Sequence, residues 1–177
     1  MIPTALVVDI VEFQRRTGTR RPVMTSLRLA DAGVGERTVV DGLLEVDVVV
    51  EAVTEGVAVV GEATGVAAGP CRRCLDAVHE PFALAVREIY ERHPTDGETW
   101  PIEDQRIDLT PMLRELALLA LPLAPLCRDD CAGPDTERFP TGPAEEPDVD
   151  LPPARDGRWA ALDLLEFDDA DEGAPGR

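Results

Sequence analysis

Alternating apolar and polar residues dominate the first half of the chain. Over residues 43–53 one face is apolar and the other acidic, and this period of two predicts a half-buried β-strand. The connections between such runs are too short for crossover helices, so we predict an antiparallel meander. The apolar face of residues 43–53 consists of Leu44, Val46, Val48 and Val50. Further strands are predicted over residues 4–11, 23–29 and 57–66 and from Pro81 onward.

One clear helix follows the predicted strands. Thr110 suits an N-cap and Pro111 the first helical position, and Pro122 ends the helix after residue 121. Apolar residues recur between them at intervals of three and four, which predicts a stripe packed on a core. The stripe consists of Met112, Leu113, Leu116, Leu119 and Ala120. The chain is therefore predicted to be an α+β protein, with an antiparallel β-sheet or partly open β-barrel, a packed helix and a short C-terminal helix.

The composition changes after the helix. Residues 133–155 are acidic and contain six prolines, which predicts a disordered linker. Trp159 lies in an apolar stripe that predicts a short docking helix over residues 156–167, and residues 168–177 form an acidic tail that we expect to fray. A single α+β domain is therefore expected over residues 1–132.

The charge of the chain restricts its partners. The 177 residues carry a formal net charge of −18, and all 17 basic side chains are arginine. Most of this surface repels phosphate backbones, so the acidity suits either a basic protein partner or simple solubility. The sequence has no apolar run of membrane-spanning length, and acidic residues interrupt its start where a signal peptide would be apolar. A cytoplasmic location is expected.

A single cluster of arginines interrupts this acidity, around Gly18. It is open to two interpretations: a patch that faces phosphates, or a solvated loop that balances the acidic body. A second arginine pair lies between two cysteines and would extend the patch if the fold brought the two groups together. The candidate nucleic-acid-binding residues are Arg15, Arg16, Arg20, Arg21, Arg72 and Arg73.

Four cysteines form two closely spaced pairs. Cys71 and Cys74 are separated by two residues, a spacing that lets both thiolates bind one metal ion, and Cys127 and Cys131 are separated by three. Clustered cysteines in a reducing cytosol are more often metal ligands or catalytic thiols than disulfides. We predict one structural zinc ion held by all four. The alternative is that they are free thiols.

Catalysis has less support in the sequence. A redox CxxC normally begins a helix after a strand, whereas this motif lies between two predicted strands. His79 and His93 stand in no metal-ligand spacing, and the chain has no lysine for a phosphate-binding loop. We therefore expect a non-enzymatic protein, with a thiol-dependent redox protein as the alternative.

Several ordered blocks resemble one protein family. They are CRRCL at residues 71–75, IDLTPMLRELALLALPLAPLC at 107–127, Cys131, and DGRWAALDLL at 156–165. Together they resemble the YceD-like family, the large ribosomal RNA subunit accumulation proteins of bacteria and plastids. The resemblance implies a factor that supports accumulation or processing of 23S ribosomal RNA. Its partner would be precursor ribosomal RNA or a basic large-subunit ribosomal protein.

One block departs from the family pattern. Relatives from GC-rich bacteria usually continue after the second cysteine pair with a further CxxC and a glycine, where this chain has residues 132–135, Ala-Gly-Pro-Asp. If the family's metal depends on that later pair, this chain has lost ligands. If the two pairs present here share the metal, the set is complete. A purely structural zinc-binding interaction domain remains a further alternative for its role.

Overall fold

A computed structural model describes residues 2–13 and 16–134 of the chain. In it, the long strands pair side by side as an antiparallel meander, as the alternating pattern predicts. Eight strands and one helix are formed by the described residues. In chain order they are β1 (Val7–Asp9), β2 (Arg20–Arg28), β3 (Gly33–Val34), β4 (Arg37–Ala52), β5 (Gly56–Pro70), β6 (Ala77–Glu91), β7 (Trp100–Pro101), β8 (Arg106–Asp108) and α1 (Thr110–Ala120).

The strands form two open sheets. The larger has six strands in the order β2-β4-β5-β6-β7, with β3 paired to β4, and the smaller pairs β1 with β8. All these pairings are antiparallel except that of β6 with β7. The predicted antiparallel sheet is therefore confirmed, but neither sheet closes into a barrel. The described part of the chain is mostly β-sheet with one helix, which fits the α+β class only loosely.

One face of the larger sheet packs in the core. Leu44, Val46, Val48 and Val50 are all buried, as their alternation predicts. They pack with buried residues of β5 and β6 and with the inner face of α1, because apolar side chains on one strand face share a single side of the sheet. From α1 the buried residues are Met112, Leu113 and Ala117.

The helix differs from its prediction at both ends. Thr110 is its first residue and not its cap, which is Leu109. The Thr110 amide donates to Asp108 Oδ1 at 2.9 Å, and the Thr110 hydroxyl accepts a bond from the Leu6 amide at 2.8 Å, so both polar groups serve tertiary contacts. At the other end, the helix ends at Ala120, one residue earlier than predicted, and Leu119 of the predicted packed stripe is 77% exposed.

The strand boundaries also differ from those predicted. The first strand covers three residues, because only Val7–Asp9 find a partner in β8. Conversely, β5 continues through Gly65 to Pro70, because β6 pairs with it along its whole length, up to Pro70 opposite Ala77. The predicted linker beyond residue 134, the predicted C-terminal helix and the tail lie outside the described residues, as does Arg15. The one described helix is too short to span a membrane.

Candidate metal centre

The turn between β5 and β6 carries the first cysteine pair. Pro70 pairs with Ala77 as the last rung of the ladder, so the six residues between them form the loop of a long hairpin. The Cys71 amide donates to the Asp76 carbonyl at 2.7 Å, and the Leu75 amide donates to the Cys71 carbonyl at 3.0 Å. This tight turn explains why two residues of separation direct both thiols to the same side.

The segment after α1 brings the second pair to this turn. The Arg72 amide donates to the Pro125 carbonyl at 2.9 Å, which joins the two segments through their backbones. The guanidinium of Arg73 then donates to the Cys131 carbonyl at 2.7 Å. These contacts hold the turn after β5 and the segment after α1 next to each other.

All four sulfur atoms lie within 4.8 Å of one another. Cys71 Sγ and Cys131 Sγ are 3.9 Å apart, and Cys74 Sγ and Cys127 Sγ are 3.6 Å apart. Four sulfurs at about 2.3 Å from a tetrahedral zinc ion would be separated by about 3.8 Å. The spacing therefore fits a four-thiolate site, and these residues can hold a metal ion such as zinc. These four cysteines complete a tetrahedral set without the further CxxC that relatives from GC-rich bacteria carry.

Burial differs across the cluster. Cys71 and Cys131 are buried with Val78, whereas Cys74 is half-buried and Cys127 is exposed. One side of the cluster is therefore shielded by protein and the other is reachable from solvent. A structural metal at the edge of a fold would be surrounded in this way, because the small apolar cluster alone buries too little surface to hold the two segments together.

The thiols occupy unequal electrostatic environments. Backbone amides of Cys74, Arg73 and Cys127 donate to Cys71, and they lower the pKa of its thiol to about 6 despite burial. The Asp76 amide lowers the pKa of Cys74, but burial and the three neighbouring thiols outweigh it and raise that pKa to about 12. Crowded sulfurs resist becoming charged together unless a cation lies between them. The cluster is thus suited to a cation.

The five described arginines among those predicted to bind nucleic acid do not form one patch. Arg20 of β2 pairs with Glu51 of β4, which in turn pairs with Ala58 near the start of β5. Arg72, in contrast, follows the end of β5. About twelve strand residues at about 3.3 Å each separate these positions by about 40 Å. The described candidates thus form two groups: Arg16, Arg20 and Arg21 at one end of the sheet, and Arg72 and Arg73 at the other.

Several of these side chains already have partners within the fold. Arg20 forms a 3.0 Å ion pair with Glu51, and the guanidinium of Arg21 lies 5.5 Å from the centroid of the Phe13 ring. The guanidinium of Arg73 donates to the Cys131 carbonyl. These contacts give the three arginines structural roles. Neither their positions in the sequence nor their grouping there predicts such roles.

A buried arginine contacts the segment after α1, and nothing in the sequence pattern predicts its burial. Arg37 is 4% exposed, and its Nε donates to the Pro122 carbonyl at 2.9 Å. Its two amino nitrogens find no hydrogen-bond partner among the described residues. The contact attaches the start of β4 to the segment that leads to Cys127. Only tertiary packing identifies it, because Arg37 stands in a polar, glycine-containing stretch that resembles a loop.

Comparison with known proteins agrees with the motif blocks. The family model for YceD, large ribosomal RNA subunit accumulation protein, matches residues 59–166. An uncharacterised protein of Mycobacterium tuberculosis is 30% identical over 142 residues, which cover 75% of this chain and 68% of the relative. One of Mycobacterium leprae is 30% identical over 139 residues, covering 72% and 63%.

A third relative, matched over a shorter stretch, is the uncharacterised protein YlbN of Bacillus subtilis, 34% identical over 65 residues, which cover 34% of this chain and 38% of the relative. No solved structure matches the chain. The family match spans the β5–β6 hairpin, α1 and both cysteine pairs, which are the elements that build the cluster. On this match and on the ordered motif blocks, the chain belongs to the YceD family.

Proposed function

We propose that this chain is a non-enzymatic factor in large ribosomal subunit biogenesis, and that it supports accumulation or processing of 23S ribosomal RNA. Membership of a family described as a large ribosomal RNA subunit accumulation protein is the observation that carries this proposal. A cytoplasmic location follows from the role, since precursor ribosomal RNA is the material on which the factor would act.

The cysteine cluster serves this function as a structural zinc site. Four thiolates with no fifth donor among the described residues form a closed set, typical of zinc that holds a fold together. Its place in the turn between β5 and β6, and not at the N-terminus of the one described helix, argues against a redox CxxC. We expect the purified protein to lack insulin-reducing activity, and turnover comparable to a thioredoxin control would support the redox alternative instead.

The direct partner that the charges favour is a basic ribosomal protein. The net charge of −18 attracts such a protein before assembly, and the described candidate arginines lie in two separated groups, in which Arg20 and Arg73 already have partners within the fold. Direct binding of precursor ribosomal RNA is the competing mechanism. Arg15→Glu with Arg16→Glu should leave ribosomal RNA association unchanged if the protein route operates. A loss of association in a folded variant would favour the RNA route.

The function is tested by depleting the protein in its host and measuring mature and precursor 23S ribosomal RNA against 16S. We expect a selective fall in 23S, restored by the wild-type chain. Cys71→Ser tests the metal in the same assay, and Leu75→Ala is its matched control from the same turn, because Leu75 is 72% exposed and is neither a cysteine ligand nor a candidate RNA-binding residue. A normal 23S level after depletion would refute the proposal.

A further inference from the structure

A groove of about 640 Å³ opens between α1 and the segment that leads into β7, away from the cysteine cluster. Its lining includes three large apolar side chains. Leu119 projects from α1 with 77% of its surface exposed, Leu116 lies beside it, and Trp100 closes the other wall. The Trp100 indole donates to Glu88 at 3.0 Å, which holds the ring in place. An exposed leucine beside an anchored tryptophan is an apolar surface without a partner in the described fold.

The lining of the groove also carries negative charge. Four carboxylates line it, no basic side chain does, and among residues 2–13 and 16–134 none of the four forms an ion pair. Negative charges around a concave apolar surface reinforce one another, because the low-dielectric wall focuses their field. The four residues are Glu88, Asp96, Glu98 and Glu115.

The charges select among possible occupants. The chain's own residues 135–177 carry thirteen acidic and four basic side chains, and a second copy of the chain carries the same net charge of −18, so both are repelled. Nucleic acid is repelled by the same carboxylates. What complements the groove is a polypeptide segment with arginines or lysines flanking an apolar side chain, which would seat on Leu119 and Trp100.

We infer that this groove is the docking site for a basic, amphipathic segment of a partner protein. The inference deepens the proposed function and rests on it for the identity of that partner as a large-subunit protein. The apolar contact would supply affinity, and the carboxylates would supply attraction at a distance and select against acidic segments.

The test uses the full chain and a short fluorescein-labelled peptide in which arginines and lysines flank one leucine. Binding is followed by fluorescence anisotropy at low and high salt. Glu98→Gln with Glu115→Gln removes two charges from the groove. The matched control is Asp47→Asn with Glu62→Gln, an exposed acidic pair on the outward face of the sheet. All four side chains are exposed, so the fold should persist.

We expect the groove pair to weaken peptide binding at least about tenfold and the control pair to change it less than about twofold. Leu119→Ser should weaken it as well, whereas Met24→Ser, which alters a residue 75% exposed on the other surface, should not. Replacing the peptide's leucine with serine should mimic Leu119→Ser.

Equal losses in both charge pairs would show general attraction to an acidic surface and overturn the inference. Failure of the wild-type chain to bind the peptide would overturn it too. Neither result touches the proposed function, which the depletion assay tests separately. If the groove variant restored 23S ribosomal RNA fully, the proposed function would stand and the groove would have no part in it.

Discussion

Cys71 and Cys131 place their sulfur atoms 3.9 Å apart, although 60 positions separate them along the chain. The contact joins the turn after β5 to the segment after α1, and the backbone bond from Arg72 to Pro125 lies beside it. A cation shared by the four thiols would cross-link two segments that otherwise meet through few apolar contacts. Loss of the metal should therefore loosen the corner between these two segments more than the rest of the described fold.

The first prediction concerns the metal itself. Protein purified without added metal should contain close to one zinc per chain, and Cys71→Ser or Cys131→Ser should abolish it and lower the free energy of unfolding by at least about 3 kcal/mol. Metal analysis and urea unfolding measure both effects. Arg72→Ala should retain the zinc. Zinc-free wild-type protein with unchanged stability after chelation would rule out a structural metal.

Arg73 should position the second cysteine pair. Its guanidinium donates to the Cys131 carbonyl at 2.7 Å, so Arg73→Ala should loosen the loop and speed zinc transfer to a chelator several-fold, while leaving the stoichiometry near one. A stopped-flow chelator assay measures the transfer rate, and urea unfolding of the same variant shows whether global stability has changed as well. Arg72→Ala is the control, and similar rates in both variants would remove this role from Arg73.

Tyr90 is the chain's single tyrosine, is 1% exposed, and donates to the Asp108 carbonyl at 3.0 Å. Burial, and then the negative charges of Asp108 and Glu88, raise its pKa well above the ordinary value. Tyr90→Phe removes one hydrogen bond and should cost about 1 kcal/mol at pH 8, as measured by urea unfolding.

The raised pKa of Tyr90 also predicts a pH dependence with a definite sign. The folded state favours the neutral phenol, so this contribution is complete below pH 10 and is lost as the pH rises above 10, by about 1.4 kcal/mol per pH unit. Tyr90→Phe lacks that loss, so its stability deficit should shrink and then reverse above pH 11. Parallel stability curves for both proteins up to that pH would mean that Tyr90 ionises without penalty.

Gly42 occupies the irregular part of the β4–β5 pairing. Its φ of +64° is left-handed, and an added Cβ would meet the Leu29 carbonyl oxygen, a backbone atom that cannot turn aside. Gly42→Ala should destabilise the fold by about 3 kcal/mol or more. Gly35 has a similar φ of +58° but open space around it, so Gly35→Ala should cost only about 1 kcal/mol. Thermal unfolding compares them, and equal costs would discount the backbone contact.

The described fold could be predicted in outline from local pattern. The alternation of apolar and polar residues in β4 identified its buried face, since side chains on a strand point alternately to the two sides. Apolar residues that recur at intervals of three and four identified the helix. The ends of these elements could not be predicted, because they depend on partners. Pro70 stays in its strand because Ala77 lies opposite, and Thr110 is drawn from its capping role by contact with Leu6.

The amino-acid sequence by itself determined the family, the antiparallel order of the strands, the acidity, and the two cysteine pairs as candidate ligands. These properties are local or compositional and can be found without coordinates. Only the tertiary structure decided that the four sulfurs share one corner, that the arginines lie at opposite ends of the sheet, and that an acidic groove forms beside Leu119. Each of these depends on segments far apart in the chain, whose distance in space is set by packing and not by spacing.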